Sequence, residues 1–219
     1  MLSDAEWEAL TLSFRIASVG VACALPFAVA VAYVLARVRL PAKTLLDGIV
    51  HLPLVLPPVV IGYLLLVTFG TRAPVGGWLL ETFGIRLVFD WKGAALAVAV
   101  VTFPFTVRAV RLSLEAADPE LETAARTLGA GRIDVFWTIT LPQALPGIIA
   151  GAITAFAAGL GEFGAIITFV SNVPGETRTL PLAIYTAIQT PGGEAQALRL
   201  AMLSITLALA GLALAELAA

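Results

Sequence analysis

The chain is poor in the residues from which most soluble active sites are built. It holds one histidine, His51, and one cysteine, Cys23, among 219 residues. A lone cysteine cannot close a disulfide within the chain, and one histidine without a cysteine cluster argues against a zinc site. Charge is scarce too: 13% of residues are Asp, Glu, Lys or Arg, where a soluble domain has about 25%. A net charge of −2 argues against nucleic acid, which calls for a basic patch. The sequence has no GxxxxGK[ST] phosphate loop, so any ATP-driven activity needs a separate ATPase. The first residues, MLSDAEWEAL, are acidic and lack the basic n-region of a signal peptide, so no cleaved leader is expected. One His, one Cys and a single deep acid do not assemble a nucleophile–base set, so no catalytic residue is assigned.

What is abundant is apolar. Hydrophobic residues make up 59% of the chain, above the roughly 45–50% of soluble domains, which points to an integral membrane protein. A bilayer-crossing helix needs about 20 apolar residues. The stretches 16–36, 48–69, 93–112, 145–170 and 197–217 meet that need. They predict an all-α membrane protein of five transmembrane helices, a single domain over 1–219. The patch LPLAIYTAIQ, Leu180–Gln189, is too short to span alone at about 1.5 Å per residue. It reads as a surface-lying helix or a re-entrant piece. Between the second and third spans, WLLETFGIRLVFDW reads as a surface-lying loop, with Trp78 and Trp91 suited to the interface.

Cytoplasmic loops collect Lys and Arg. Arg37, Arg39 and Lys43 follow the first span, and Arg108, Arg111, Arg126 and Arg132 follow or end the third. The opposite side spreads Arg15, Arg72, Arg86, Lys92, Arg178 and Arg199 over longer segments, beside the acids Asp4, Glu6 and Glu8. This bias puts the N-terminus outside and the C-terminus in the cytoplasm. The polar insert 118–142 is then cytoplasmic and 171–194 external.

The insert has its own helix punctuation. Asp118 suits an N-cap and Pro119 the first helical position. Glu120 and Glu122 favour the dipole of the first turn. Leu121, Ala124, Ala125 and Leu128 share one face, and Gly129 suits the C-cap. After Gly131, a second short helix is expected to carry Ile133, Phe136, Trp137 and Thr140 on one face, with Pro142 ending it. Periodicity leaves two uses for the apolar face: docking another protein, or packing on the chain's own bundle.

The spacing of this insert resembles the cytoplasmic loop signature of ABC importer permeases: Glu-Ala-Ala, three residues, Gly, nine residues, Ile-x-Leu-Pro. The matching positions are Ala124-Ala125, Gly129 and Ile139-Thr140-Leu141-Pro142. Thr123 stands where the signature has Glu, and Glu122 lies one position earlier. The stretches HLPLVLPPVVIGYLLL, LGEFGAIITFVSNVPGETRTLPLAIYT and IQTPGGE resemble the molybdate-type permeases, so the likeness covers nearly the whole chain.

The resemblance implies a type I, binding-protein-dependent importer core in a prokaryotic cytoplasmic membrane. Its partners are a second copy of the chain, two ATPase subunits, an external oxyanion-binding protein and membrane lipid. The coupling loop is Leu121, Glu122, Ala124, Ala125, Leu128, Gly129, Ile139, Leu141 and Pro142. No cofactor or metal is expected in this chain; ATP and Mg belong to the ATPase. The cargo is molybdate or a relative such as tungstate, sulfate or thiosulfate. A stand-alone secondary transporter is the alternative class, but it calls for coupling-ion sites and repeats that the sequence lacks.

Candidate pathway or gate residues are Pro57, Pro58, Glu162, Ser171, Asn172, Thr177 and Arg178. Pro53, Pro57 and Pro58 each remove a backbone donor from the second span. The carbonyls they free need partners in protein or a wet cavity. Glu162 falls inside the fourth span, where a carboxylate costs about 2.5–3.5 kcal/mol. A structural or gating role, with backbone amides as partners, is favoured over substrate contact; Arg108 is a candidate cation partner. Gly147 and Gly151 form a small-xxx-small pair, suited to packing within the chain or between two copies.

Overall fold

The computed structural model describes residues 2–38 and 41–218, with side chains through 211 and at 213. Arg39 and the side chain of Glu216 lie outside that description. The described residues form helices and no strand. In chain order these are α1 (Asp4–Arg37), α2 (Lys43–Val55), α3 (Pro58–Phe69), α4 (Pro74–Phe83), α5 (Trp91–Ala116), α6 (Pro119–Thr127) and α7 (Arg132–Val135). A π-helical segment (Phe136–Thr140), α8 (Leu141–Leu160), α9 (Gly164–Val170), α10 (Leu180–Gln189) and α11 (Glu194–Ala218) follow.

Among the described residues, three helical stretches are long and apolar enough to cross a membrane: Asp4–Arg37, Trp91–Ala116 and Arg132–Leu160. At about 1.5 Å per residue, the 34 residues of α1 exceed the roughly 30 Å hydrocarbon core, so its ends protrude. A capping box seals its start: Ser3 and Glu6 each accept the other's backbone N–H. Helix α5 packs against both α1 and α8, which also pack on each other. Ala28, Ala32, Leu35, Val107, Val110, Leu114 and Ala144 pack together toward one end of these three helices. The α5–α8 contact is close because Gly147 lacks a side chain: a Cβ there would lie 2.5 Å from the Ala109 carbonyl oxygen. The small-xxx-small pair thus packs α8 within the chain.

The second predicted span is not one helix. Helices α2 and α3 meet at a bend of 112°. Pro53 stays inside α2; the break comes from the Pro57-Pro58 pair. A residue before proline is pushed out of the helical region. Leu56 precedes Pro57 and Pro57 precedes Pro58, and both are extended, with ψ of 141° and 134°. Two successive residues are thereby lost to the helix.

The fourth span also departs from its expected limits. The helix begins at Arg132, runs through the π segment, and stops at Leu160. Pro142 therefore does not end a short helix: it lies inside the continuous helical run from Arg132, just after the π segment. Gly161, Glu162 and Phe163 break the chain before α9. Helix α9 packs on α3, so the two interrupted stretches meet. A Cβ on Gly62 would lie 2.7 Å from the Ala165 carbonyl oxygen; only glycine admits this approach. Helix α10 packs between the start of α1 and α11, burying Leu180 and Ala183 with Ala9 and Leu200.

Candidate functional site

The insert at the C-terminal end of α5 folds much as its punctuation dictates. Asp118 Oδ1 accepts the Glu120 N–H at 2.8 Å, opening α6. Gly129, at φ +93°, closes it. Its N–H reaches the Arg126 carbonyl at 3.1 Å, and the Ala130 N–H reaches Ala125 at 3.0 Å. That pair of bonds is a Schellman cap, which needs a residue comfortable at positive φ.

Helix α6 turns its apolar side away from the bundle. Leu121 is exposed and Leu128 is 88% exposed. Ile133 and Trp137 continue the exposed strip beyond Gly129. The second expected face splits: Phe136 turns inward, edge-on to Tyr33 with ring centroids 5.6 Å apart, and Thr140 is buried. The π segment explains the split, because its wider turn moves the residues after Val135 off α-helical spacing. Ile139 and Leu141 are half-buried, and Pro142 is exposed.

Glu122 does not join the exposed strip. It is buried, with Oε1 accepting from Thr140 Oγ1 at 3.0 Å. Arg37 Nε lies 3.4 Å from Oε1 and Arg126 Nη2 3.4 Å from Oε2. Thr123 is exposed, its hydroxyl donating to the Pro119 carbonyl. The role of Arg37 was hidden in the sequence, where it counted only toward loop charge; its one signal is its place at the last turn of α1.

At the α3–α9 contact, Glu162 is 8% exposed and its Oε1 accepts the Ala165 N–H at 2.8 Å. The carboxylate caps the start of α9, using the amide partners that a buried acid needs. Arg108 is not its partner. Arg108 instead lines a cavity of about 290 Å³ with Asp47, His51, Arg111, Leu112 and Glu115. There His51 Nδ1 lies 2.9 Å from the Asp47 carbonyl oxygen, and Arg111 bonds both Asp47 and Glu115.

The segment after α9 is tied to itself. Ser171 sits at φ +67°. Thr177 is fully buried, donating to the Ser171 carbonyl at 3.0 Å and accepting from the Val173 N–H at 2.9 Å. Both roles of its hydroxyl are used in holding the loop. Arg178 Nε donates to Asn172 Oδ1, and Asn172 Nδ2 donates to Thr186. Sequence reasoning also missed a further buried acid: Glu6, whose Oε1 accepts from Arg199 Nη2 at 3.0 Å, ties α1 to α11. No group of three or more His, Cys, Asp or Glu that would hold a metal occurs among the described residues.

Long apolar helices, two interrupted stretches that meet, and a structured loop describe an all-helical membrane protein. Residues 24–218 match the family model for the binding-protein-dependent transport system inner membrane component, and the chain belongs to that family. It is 58% identical over 216 residues to the molybdenum transport system permease protein ModB of Escherichia coli K12, covering 99% of this chain and 94% of that protein. The sulfate transport system permease protein CysT of the same strain is 39% identical over 163 residues, 74% of this chain and 58% of that one. The bacterial alginate ABC transporter solved in complex with a pentasaccharide-bound periplasmic protein shares the fold. Its TM-score is 0.74 at 18% identity, covering 99% of this chain and 77% of that one.

Proposed function

We propose that this chain is the transmembrane subunit of an ATP-driven importer of molybdate. The observation that carries this reading is the 58% identity to a molybdenum permease along 99% of the chain. The whole of 1–219 acts as one permease domain with five passes. The bent α2–α3 pair and α11 complete the set begun by α1, α5 and α8, with the N-terminus outside and the C-terminus cytoplasmic. Two copies form the working unit around a two-fold axis, as suits a bundle with few helices to enclose a path.

Two ATPase subunits dock on the paired loops through Leu121, Ala124, Ala125, Leu128 and Gly129, with Ile139, Leu141 and Pro142 fixing the way into α8. Leu128 supports this reading, since an exposed leucine on an ordered helix gains most from a partner. An external binding protein delivers the oxyanion to the side of Ser171, Asn172 and Arg178. Pro57, Pro58 and Glu162, at the α3–α9 junction, form the gate region. Transport runs by alternating access: ATP closes the ATPase pair, the loops move together, and the helices reorient. Each ligand shifts this balance only by its differential affinity for the two states.

A sulfate-type cargo is the second reading, favoured by the 39% identity to a sulfate permease. Competition decides between them. In proteoliposomes holding permease, ATPase and binding protein, labelled molybdate uptake is challenged with tungstate and with sulfate. Suppression by tungstate but not sulfate is the expected result; equal suppression by sulfate overturns molybdate selectivity.

A further inference from the structure

Glu122 points the opposite way from the rest of α6. It is the buried residue of that helix, while Leu121, Thr123, Ala124 and Leu128 are exposed. Its carboxylate meets groups from separate elements. Arg37 comes from the last turn of α1 at 3.4 Å, and Thr140 from the head of α8 at 3.0 Å. Arg126 on α6 itself closes the set at 3.4 Å. Arg37 Nη2 also reaches the Ala117 carbonyl at 3.5 Å, on the link between α5 and α6. One side chain thus joins the small loop helix to both long helices that pack on α5.

We propose that Glu122 is a positioning residue for energy coupling: it transmits displacement of α6 to α1 and α8, and does not contact the ATPase. The inference rests on the docking role proposed for the loop. A helix of nine residues with one buried side chain has little other grip on the bundle. A push on its exposed face therefore passes through the Glu122 contacts. Those contacts resist it, because a buried carboxylate pulled from its partners is left uncompensated. Helix α1 carries the motion along the molecule, since it packs on α5 and α8 and is tied to α11 near its far end through Glu6 and Arg199.

The test uses the complete transporter in proteoliposomes, with Glu122→Gln, Arg37→Gln, the double variant, and the milder Thr140→Val in case the charge changes impair folding. Two quantities are read: ATPase subunits retained on the permease, and oxyanion moved per ATP hydrolysed. Glu122→Gln is expected to keep its ATPase subunits while transport per ATP falls about tenfold, the scale of one lost charge-assisted hydrogen bond. Arg37→Gln falls alike, the double variant falls no further, and Thr140→Val shows a smaller loss in the same direction. Simple instability lowers transport and hydrolysis together and leaves their ratio unchanged. An unchanged ratio in the folded variants, or release of the ATPase by Glu122→Gln, overturns the proposal. Failure of the docking reading looks different: Leu128→Asp would then leave the ATPase bound whatever Glu122 does.

Discussion

Leu128 offers the sharpest quantitative handle on docking. In the chain alone the residue is 88% exposed, so nearly all of its burial is still available to a partner. Full burial of a leucine side chain stabilises a complex by about 1.5–3 kcal/mol. Each 1.4 kcal/mol is a factor of about ten in affinity. Leu128→Ala removes most of that side chain, and should raise the Kd for the ATPase subunit by roughly 10–100-fold. The same change removes almost no contact within the permease, so its own stability should shift by less than about 0.5 kcal/mol. Titration of the labelled ATPase against the detergent-solubilised permease reads the first quantity, and thermal unfolding the second. An unchanged Kd refutes the assignment of this face to docking. A lowered Tm shows that Leu128 is buried in the assembled permease instead.

Three further outcomes follow from the geometry. Gly129→Val meets open space but must hold φ near +93°, a strain of about 1–3 kcal/mol. It should impair ATPase docking, measured by co-purification, and Gly129→Asn should recover most of the loss because asparagine tolerates this region. Glu162→Ala strips the cap from α9 and should cost about 0.5–2 kcal/mol of stability, read by thermal unfolding in detergent. Thr177→Val leaves the Val173 N–H without its acceptor and should destabilise the loop after α9 by about 1–3 kcal/mol, read by hydrogen exchange at that amide.

The parts of this molecule that were legible in its sequence are those governed by local chemistry. Asp118, Pro119 and Gly129 announce the two ends of α6 because caps depend on a few adjacent residues. Hydropathy found the apolar stretches but not where their helices start. Helix formation continues into polar sequence, so the helix leading into α8 begins at Arg132 rather than near 145. The Pro57-Pro58 pair signalled a disturbance, but the 112° bend depends on both prolines acting in succession and on α9 receiving α3. The π segment left no mark in composition, and it turns Thr140 inward beside Phe136, away from Ile133 and Trp137. The direction of Glu122 was equally hidden, since its partners Arg37 and Thr140 are distant in sequence. Thr177 looked like a polar donor facing outward; only the fold reveals that its hydroxyl is already engaged on both sides.

The central claim is that this subunit forms the route for an ATP-driven oxyanion import. Its most direct measurement is molybdate accumulation in proteoliposomes holding binding protein and ATPase, with and without this chain, and with ATP or a non-hydrolysable analogue. Accumulation that requires both this chain and ATP hydrolysis is the predicted result. Accumulation without the chain, or equal accumulation with the analogue, contradicts the account.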